Sequence, residues 1–156
     1  QMCRGLAAAH SQGVIHGDIK PHNMLILPES GELKITDFGV AQLSGVVRDG
    51  TGPKMATPQY VSPEQAAGRE TDFRSDVYSL GVVLFELFTG QLPFGGETDA
   101  EVLRNHAESQ PPRPRRLSPS IPENLDAIIL RCLRKLRADR YQTVADVLAD
   151  LHAASA

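Results

Sequence analysis

Residues 16 to 23 read HGDIKPHN. Within six positions this stretch brings together the carboxylate of Asp18, the ammonium of Lys20 and the carboxamide of Asn23, with Pro21 stiffening the backbone between them. Asp18 has the chemistry to take a proton, Lys20 to steady a phosphate, and Asn23 to hold a metal ion through a hard oxygen. Together these are parts for phosphoryl transfer, which asks for positioning and charge neutralisation more than for covalent chemistry. A second stretch, ITDFGVA at 35 to 41, sets another hard donor, Asp37, fourteen positions after Asn23. It stands at a turn with Phe38 and Gly39, directly after a short apolar run.

Plainer readings compete. Asp18 alone would be a turn or cap residue, but that reading does not produce Lys20, Asn23 and Asp37 in order. His16 and His22 could ligate a metal with Asp18, as in metal-dependent phosphohydrolases. Their flanks lack a third histidine at helical spacing, which weighs against that centre. The RPRR run at 113 to 116 could dock an acidic or phosphorylated partner, although a solvated loop between helices is the better reading.

The elements that must position these residues follow from periodicity. A chain of 156 residues is one domain or part of one, able to bury about 70% of its unfolded surface. Hydrophobic content of 41% and charged content of 22% are those of a globular protein. A net charge of -3 gives no broad basic surface for nucleic acid or a membrane. Cys3 and Cys132 lie on apolar helical patterns without CxxC spacing, which suggests a reducing compartment and two small core residues. The longest apolar run, Val77 to Phe88, is 12 residues and contains a glutamate. A membrane span needs about 20 apolar residues, so this run is a buried helix.

Met2, Leu6 and Ala9 recur at helical spacing ahead of Gly13, which predicts a helix over 1 to 12. MLIL (24 to 27) and LKI (33 to 35), joined by PESGE, predict a hairpin, and Val40 to Val61 a long functional loop. Ser75 or Asp76 is expected to cap the apolar helix, which Gly90 and Pro93 end after Thr89. A polar helix follows over Thr98 to Glu108, then the connector QPPRPRRLSPSIP, then helices near Pro122 to Leu136 and Thr143 to Ala153. The expected fold is mainly α with one small β-hairpin. Gln1 already lies in a helical pattern, so the chain is expected to be cut from a longer one.

HGDIKPHN and ITDFGVA together resemble the catalytic core of eukaryotic-type serine/threonine protein kinases, most similarly those of bacteria. ATPQYVSPE (56 to 64) resembles the substrate-docking end of a kinase activation loop. SDVYSLG (75 to 81) resembles the start of the central helix, and CLRKLRADRYQT (132 to 143) the closing helices. The resemblance covers essentially the whole chain but only the helical C-terminal lobe of the fold, so residues 1 to 156 are expected to be an incomplete kinase domain.

The resemblance implies ATP and Mg²⁺ as cofactors and a protein with Ser or Thr hydroxyls as partner, with no nucleic acid and no membrane contact from this segment. It implies a cytoplasmic location, with any membrane anchor of the parent outside these residues. Asp18 would orient the attacking hydroxyl and accept its proton, and Lys20 would neutralise the γ-phosphoryl group. Asn23 and Asp37 would hold Mg²⁺, Thr57 would hydrogen-bond to Asp18 and Lys20, and Leu25 would form the floor under adenine. His16 and Phe38 would be packing residues, and Glu64 would meet Arg140. Ser44 and Thr51 could be activation-loop phosphorylation sites or ordinary loop hydroxyls, and the sequence leaves both readings open.

Departures are Gly17 where the family often has arginine, His22 for a frequent glutamate and Ser62 for an alanine. The glycine-rich loop, strand lysine and helix glutamate of the N-terminal lobe are expected to precede Gln1, so this segment by itself is expected to be inactive. A pseudokinase-type binding module is the alternative function, with the metal phosphohydrolase behind it.

Overall fold

The computed structural model describes residues 1–38, 42–43 and 57–154. Helix α1 (Met2–Ser11) buries Cys3 and Leu6, and Gly13 ends it in a left-handed conformation (φ 75°) with its amide on the His10 carbonyl. Strand β1 (Val14–Ile15) leads into the loop holding Asp18, and a 3₁₀ turn, Pro21–Asn23, closes that loop. The expected hairpin follows as β2 (Met24–Ile26) and β3 (Leu33–Ile35), antiparallel with Met24 opposite Ile35. The described part of the expected loop after Val40 holds a strand, β4 (Gln42–Leu43), and a 3₁₀ turn, Pro58–Tyr60; Ser44 and Thr51 lie outside the described residues. β4 pairs antiparallel with β1, so a second two-stranded sheet stands beside the one foreseen.

Short α2 (Pro63–Ala66) begins with a capping box in which the Ser62 and Gln65 side chains bond each other's backbone amides. The central helix α3 (Phe73–Thr89) is buried at every residue from 75 to 85. Its cap is Asp72, which accepts the Arg74 amide at 2.9 Å, and not Ser75 or Asp76. Those two lie inside the first turn and bond to other segments, so tertiary demand took them from capping. Gly90 (φ 71°) ends the helix, as the sequence suggests.

Thr98 caps α4 (Asp99–Glu108), and the proline-rich connector contains one further turn of helix, α5 (Pro114–Leu117). Helix α6 (Glu123–Cys132) stops four residues short of the expected Leu136, and a 3₁₀ turn, Arg137–Asp139, leads to α7 (Val144–Ala154). Within the RPRR run, the Arg115 amide donates to Asp126 (2.9 Å) and Arg113 approaches the same carboxylate at 3.6 Å. No helix among the described residues is long and apolar enough to cross a membrane.

The core gathers α1, α3, α6 and α7. α3 meets α6 where Gly81 faces Cys132; a β-carbon on Gly81 would stand 2.5 Å from that of Cys132. Both cysteines are buried free thiols whose pKa burial raises, as inert core residues would have. A second tie is polar. Arg140 donates from Nη1 and Nη2 to the two oxygens of Glu64, each at 2.8 Å, and Ser75 Oγ donates to Glu64 at 2.6 Å. The remaining Arg140 bonds go to the carbonyls of Arg134, Arg74 and Lys135. Burial alone would raise the Glu64 pKa, but the bonds and charge of Arg140, with Ser75, hold it below the usual carboxylate value.

Two predictions follow from this packing. Gly81→Ala is expected to destabilise the fold by about 1–3 kcal/mol, read by chemical denaturation, because α3 and α6 must separate to admit the methyl group. Glu64→Ala and Arg140→Ala should each cost about 3–5 kcal/mol, with the double variant well short of their sum. Glu64 is depressed in the folded state, so its contribution is full above the unfolded carboxylate pKa of about 4.3 and fades as pH falls through the folded value. The wild-type midpoint should therefore drop in acid more steeply than that of Glu64→Gln; additive losses in the cycle would count against the tie.

Candidate active site

The HGDIKPHN loop has little regular structure of its own and is held by a carboxylate from α3. Asp76 accepts the His16 amide and the Gly17 amide at 2.8 Å each, and His10 Nε2 meets it at 2.8 Å. Gly17 takes φ 77°, and its carbonyl accepts Gln65 Nε2 at 2.8 Å. The loop is thus gripped from α1, α2 and α3. His16 is fully buried; its Nδ1 accepts the Asp18 amide (3.2 Å), which leaves Nε2 to carry the proton given to the Thr36 carbonyl (2.9 Å). Its ring packs on Phe38 at 4.6 Å.

Asp18, Lys20, Asn23 and Thr57 come together. Lys20 Nζ stands 2.7 Å from Asp18 Oδ2 and donates to Thr57 Oγ1 at 2.7 Å. Asn23 Nδ2 donates to the Asp18 carbonyl (2.8 Å) and to Asp18 Oδ2 (3.2 Å). The expected bond from Thr57 is made to Lys20, and its link to Asp18 runs through the lysine ammonium. Asn23 is buried, and its amide orientation is set by these bonds, with Oδ1 turned away from Asp18. Thr36 donates its amide to the Asn23 carbonyl at 2.9 Å, so Asp37 follows directly on a backbone tied to the same loop. Asp37 is the one non-glycine with positive φ (60°) among the described residues. Leu25 projects from β2 and is 53% exposed, beside the exposed Ile26.

The histidine metal centre is not formed. Both ring nitrogens of His16 are committed, and no three His, Cys, Asp or Glu side chains gather into a metal-holding group among the described residues. The reading of the sequence missed Asp76, His10 and Gln65 as supports. Asp76 was visible inside SDVYSLG, but a carboxylate at a helix start reads first as a cap.

The helical fold is that of the C-terminal lobe of a protein kinase. The chain belongs to the protein kinase domain family, with residues 1–151 matched. It is 41% identical over 155 residues to "Serine/threonine-protein kinase PrkC" of Bacillus subtilis, covering 99% of this chain and 24% of that protein. It is also 41% identical over 152 residues to "Serine/threonine-protein kinase PknB" of Mycobacterium tuberculosis, covering 96% of this chain and 24% of the other. A solved structure of the twitchin kinase region from C. elegans superposes with a TM-score of 0.82 at 30% identity, over 96% of this chain and 26% of that one. The chain thus spans about a quarter of the length of the curated relatives it matches.

Gly17 yields a local prediction. Any L side chain at φ 77° meets left-handed strain, so Gly17→Ala should lower stability by about 1–2 kcal/mol in denaturant titration. An unchanged midpoint would show that the loop relaxes to another backbone conformation.

Proposed function

We propose that this chain is the catalytic lobe of a serine/threonine protein kinase, which transfers the γ-phosphoryl group of ATP to Ser or Thr hydroxyls of proteins when joined to an N-terminal lobe. The observation that carries the reading is the unbroken chain of contacts Asp18–Lys20–Thr57. Asp18 orients the substrate hydroxyl and receives its proton. Lys20, already shared between Asp18 and Thr57, presents its charge to the transferring phosphoryl group. Thr57 ties the docking segment that follows it to the same ammonium, so a substrate seated there is registered against Asp18. The names of the relatives, both serine/threonine kinases, support this choice of hydroxyl.

The donor set fits Mg²⁺, which the family uses with ATP. Asn23 offers Oδ1 because its nitrogen is spent on Asp18, and Asp37 offers a carboxylate; both are hard oxygens. When bound, the ion neutralises phosphate charge. Leu25 supplies an exposed apolar surface on β2 suited to the floor of an adenine pocket. A cytoplasmic location is proposed from the need for ATP and from the two free thiols.

The test is phosphotransfer by the full-length chain containing this segment, with ATP, Mg²⁺ and a protein bearing Ser and Thr. Asp18→Asn should lower kcat about 10²- to 10⁴-fold and Lys20→Met about 10²- to 10³-fold, while Thr57→Ala should cost about 2- to 10-fold. Chelating Mg²⁺ should abolish transfer. Transfer confined to tyrosine, or undiminished in Asp18→Asn, would overturn the proposal.

A further inference from the structure

Helix α4 sends one fully buried histidine into the lobe, and that histidine is shared by three segments. His106 Nε2 lies 3.0 Å from the Gln59 carbonyl, and Nδ1 lies 3.0 Å from the Tyr78 hydroxyl on α3. A carbonyl can only accept, so Nε2 carries the proton; a neutral imidazole then has Nδ1 as its acceptor, and the Tyr78 hydroxyl must donate to it. Phe94 packs on the ring edge at 4.9 Å. Lys135, from the segment after α6, donates to the His106 carbonyl at 2.7 Å and to the Asn105 carbonyl at 3.3 Å, and its ammonium lies 4.0 Å over the Phe94 ring.

The surroundings select one protonation state. Burial, and then the positive charge of Lys135, push the His106 pKa down to about 4, so the ring is neutral at physiological pH. A second ring proton would reverse the bond at Nδ1, leaving the Tyr78 hydroxyl to accept it. Histidine is therefore used here as a fixed two-ended bridge between a helix side chain and a backbone carbonyl.

What it bridges to is the docking segment. Gln59 is the middle residue of the 3₁₀ turn Pro58–Tyr60. Thr57, the partner of Lys20, immediately precedes that turn, and its carbonyl accepts the Tyr60 amide at 3.1 Å. On the other side of Gln59, the Tyr60 carbonyl accepts Ser79 Oγ at 2.7 Å. The segment is thus pinned at 57 by the catalytic lysine, at 60 by α3, and at 59 by α4.

We propose that His106 is a positioning residue for protein-substrate docking: it fixes the Gln59 carbonyl, and so couples the placement of α4 to the segment that carries Thr57. The proposal rests on the kinase reading above. It makes α4 a lever, since a displacement of that helix is delivered through one hydrogen bond to a backbone two residues from the Thr57 hydroxyl.

The experiment measures KM for a Ser/Thr peptide and for ATP in parallel, using the full-length chain that contains this segment. His106→Phe keeps a ring but loses both bonds; it should raise peptide KM about 3- to 10-fold without a matching rise in the KM for ATP. His106→Gln keeps a donor that can reach the Gln59 carbonyl and should restore most of the loss, which a role in packing alone would not predict. Should His106→Phe not fold, Tyr78→Phe carries the test: it frees the ring at Nδ1 and should raise peptide KM about 2-fold. Side-chain ¹⁵N spectra should show the Nε2–H neutral tautomer at pH 7. An unmoved peptide KM in a folded variant, an equal rise for ATP, or an Nε2 that carries no proton at pH 7 would each overturn the role of His106 alone. A wild-type chain that transfers nothing to any peptide would instead overturn the kinase reading, and the docking role with it.

Discussion

One buried carboxylate holds the loop that carries Asp18. Asp76 is almost fully inaccessible and accepts two backbone amides from the loop, with the His10 ring as a third neighbour. A carboxylate removed from water costs several kcal/mol unless its lone pairs are satisfied, and charge-assisted bonds to amides are roughly twice as strong as neutral ones. The loop from 16 to 20 belongs to no ladder or helix, so side-chain bonds must hold it, and Asp76 takes two of its amides. The His16 and Gly17 amides have been given to Asp76 and the Asp18 amide to the His16 ring, and the direction in which Asp18 points follows from that.

The same logic runs along α3. A helix buried on all sides has no solvent face to which its polar residues can turn, so each must find a protein partner. Ser75 donates to Glu64, Asp76 holds the loop, Tyr78 meets His106, and Ser79 donates to the Tyr60 carbonyl. Four polar positions within five residues thereby fasten α2, the loop that carries Asp18, α4 and the turn Pro58–Tyr60 to one rod. No buried side-chain nitrogen or oxygen among the described residues lacks a partner. The helix is a core element and a switchboard of hydrogen bonds at once, and the two roles need each other: burial is what makes the bonds obligatory.

What was legible in the sequence divides along physical lines. Asp18, Lys20, Asn23 and Asp37 could be picked out because their chemistry and order are local properties, and the long helices because period 3.6 persists over several turns. Strands β1 and β4 are two residues each and have no alternation to read, while α2 and α5 are single turns without periodicity. Asp72 was overlooked as a cap because Ser75 and Asp76, both good capping residues, stand three and four positions later; only the tertiary structure shows that they are spent elsewhere. A single histidine in a polar helix carries no signal at all, and His106 acquires meaning only from Gln59 and Tyr78, far away in the chain.

The two motif stretches also stabilise each other's backbone. Gly17 and Asp37 both adopt left-handed conformations, at φ 77° and 60°. Glycine does this without steric penalty, and aspartate tolerates it better than most residues, yet a strained site persists only when its neighbours over-determine it. Asp37 is held on both sides. Before it, Thr36 gives its amide to the Asn23 carbonyl and takes the His16 ring proton at its own carbonyl. After it, Phe38 packs on that same ring. The residues that enforce the conformation of Asp37 thus come from HGDIKPHN, and His16, which touches no substrate in the proposed reaction, is the side chain through which one stretch sets the geometry of the other. Its two ring nitrogens and its face are all engaged, so a replacement would have to supply an acceptor and a donor on two separate ring atoms, together with an aromatic surface, in one rigid unit. Among the common side chains only imidazole does so.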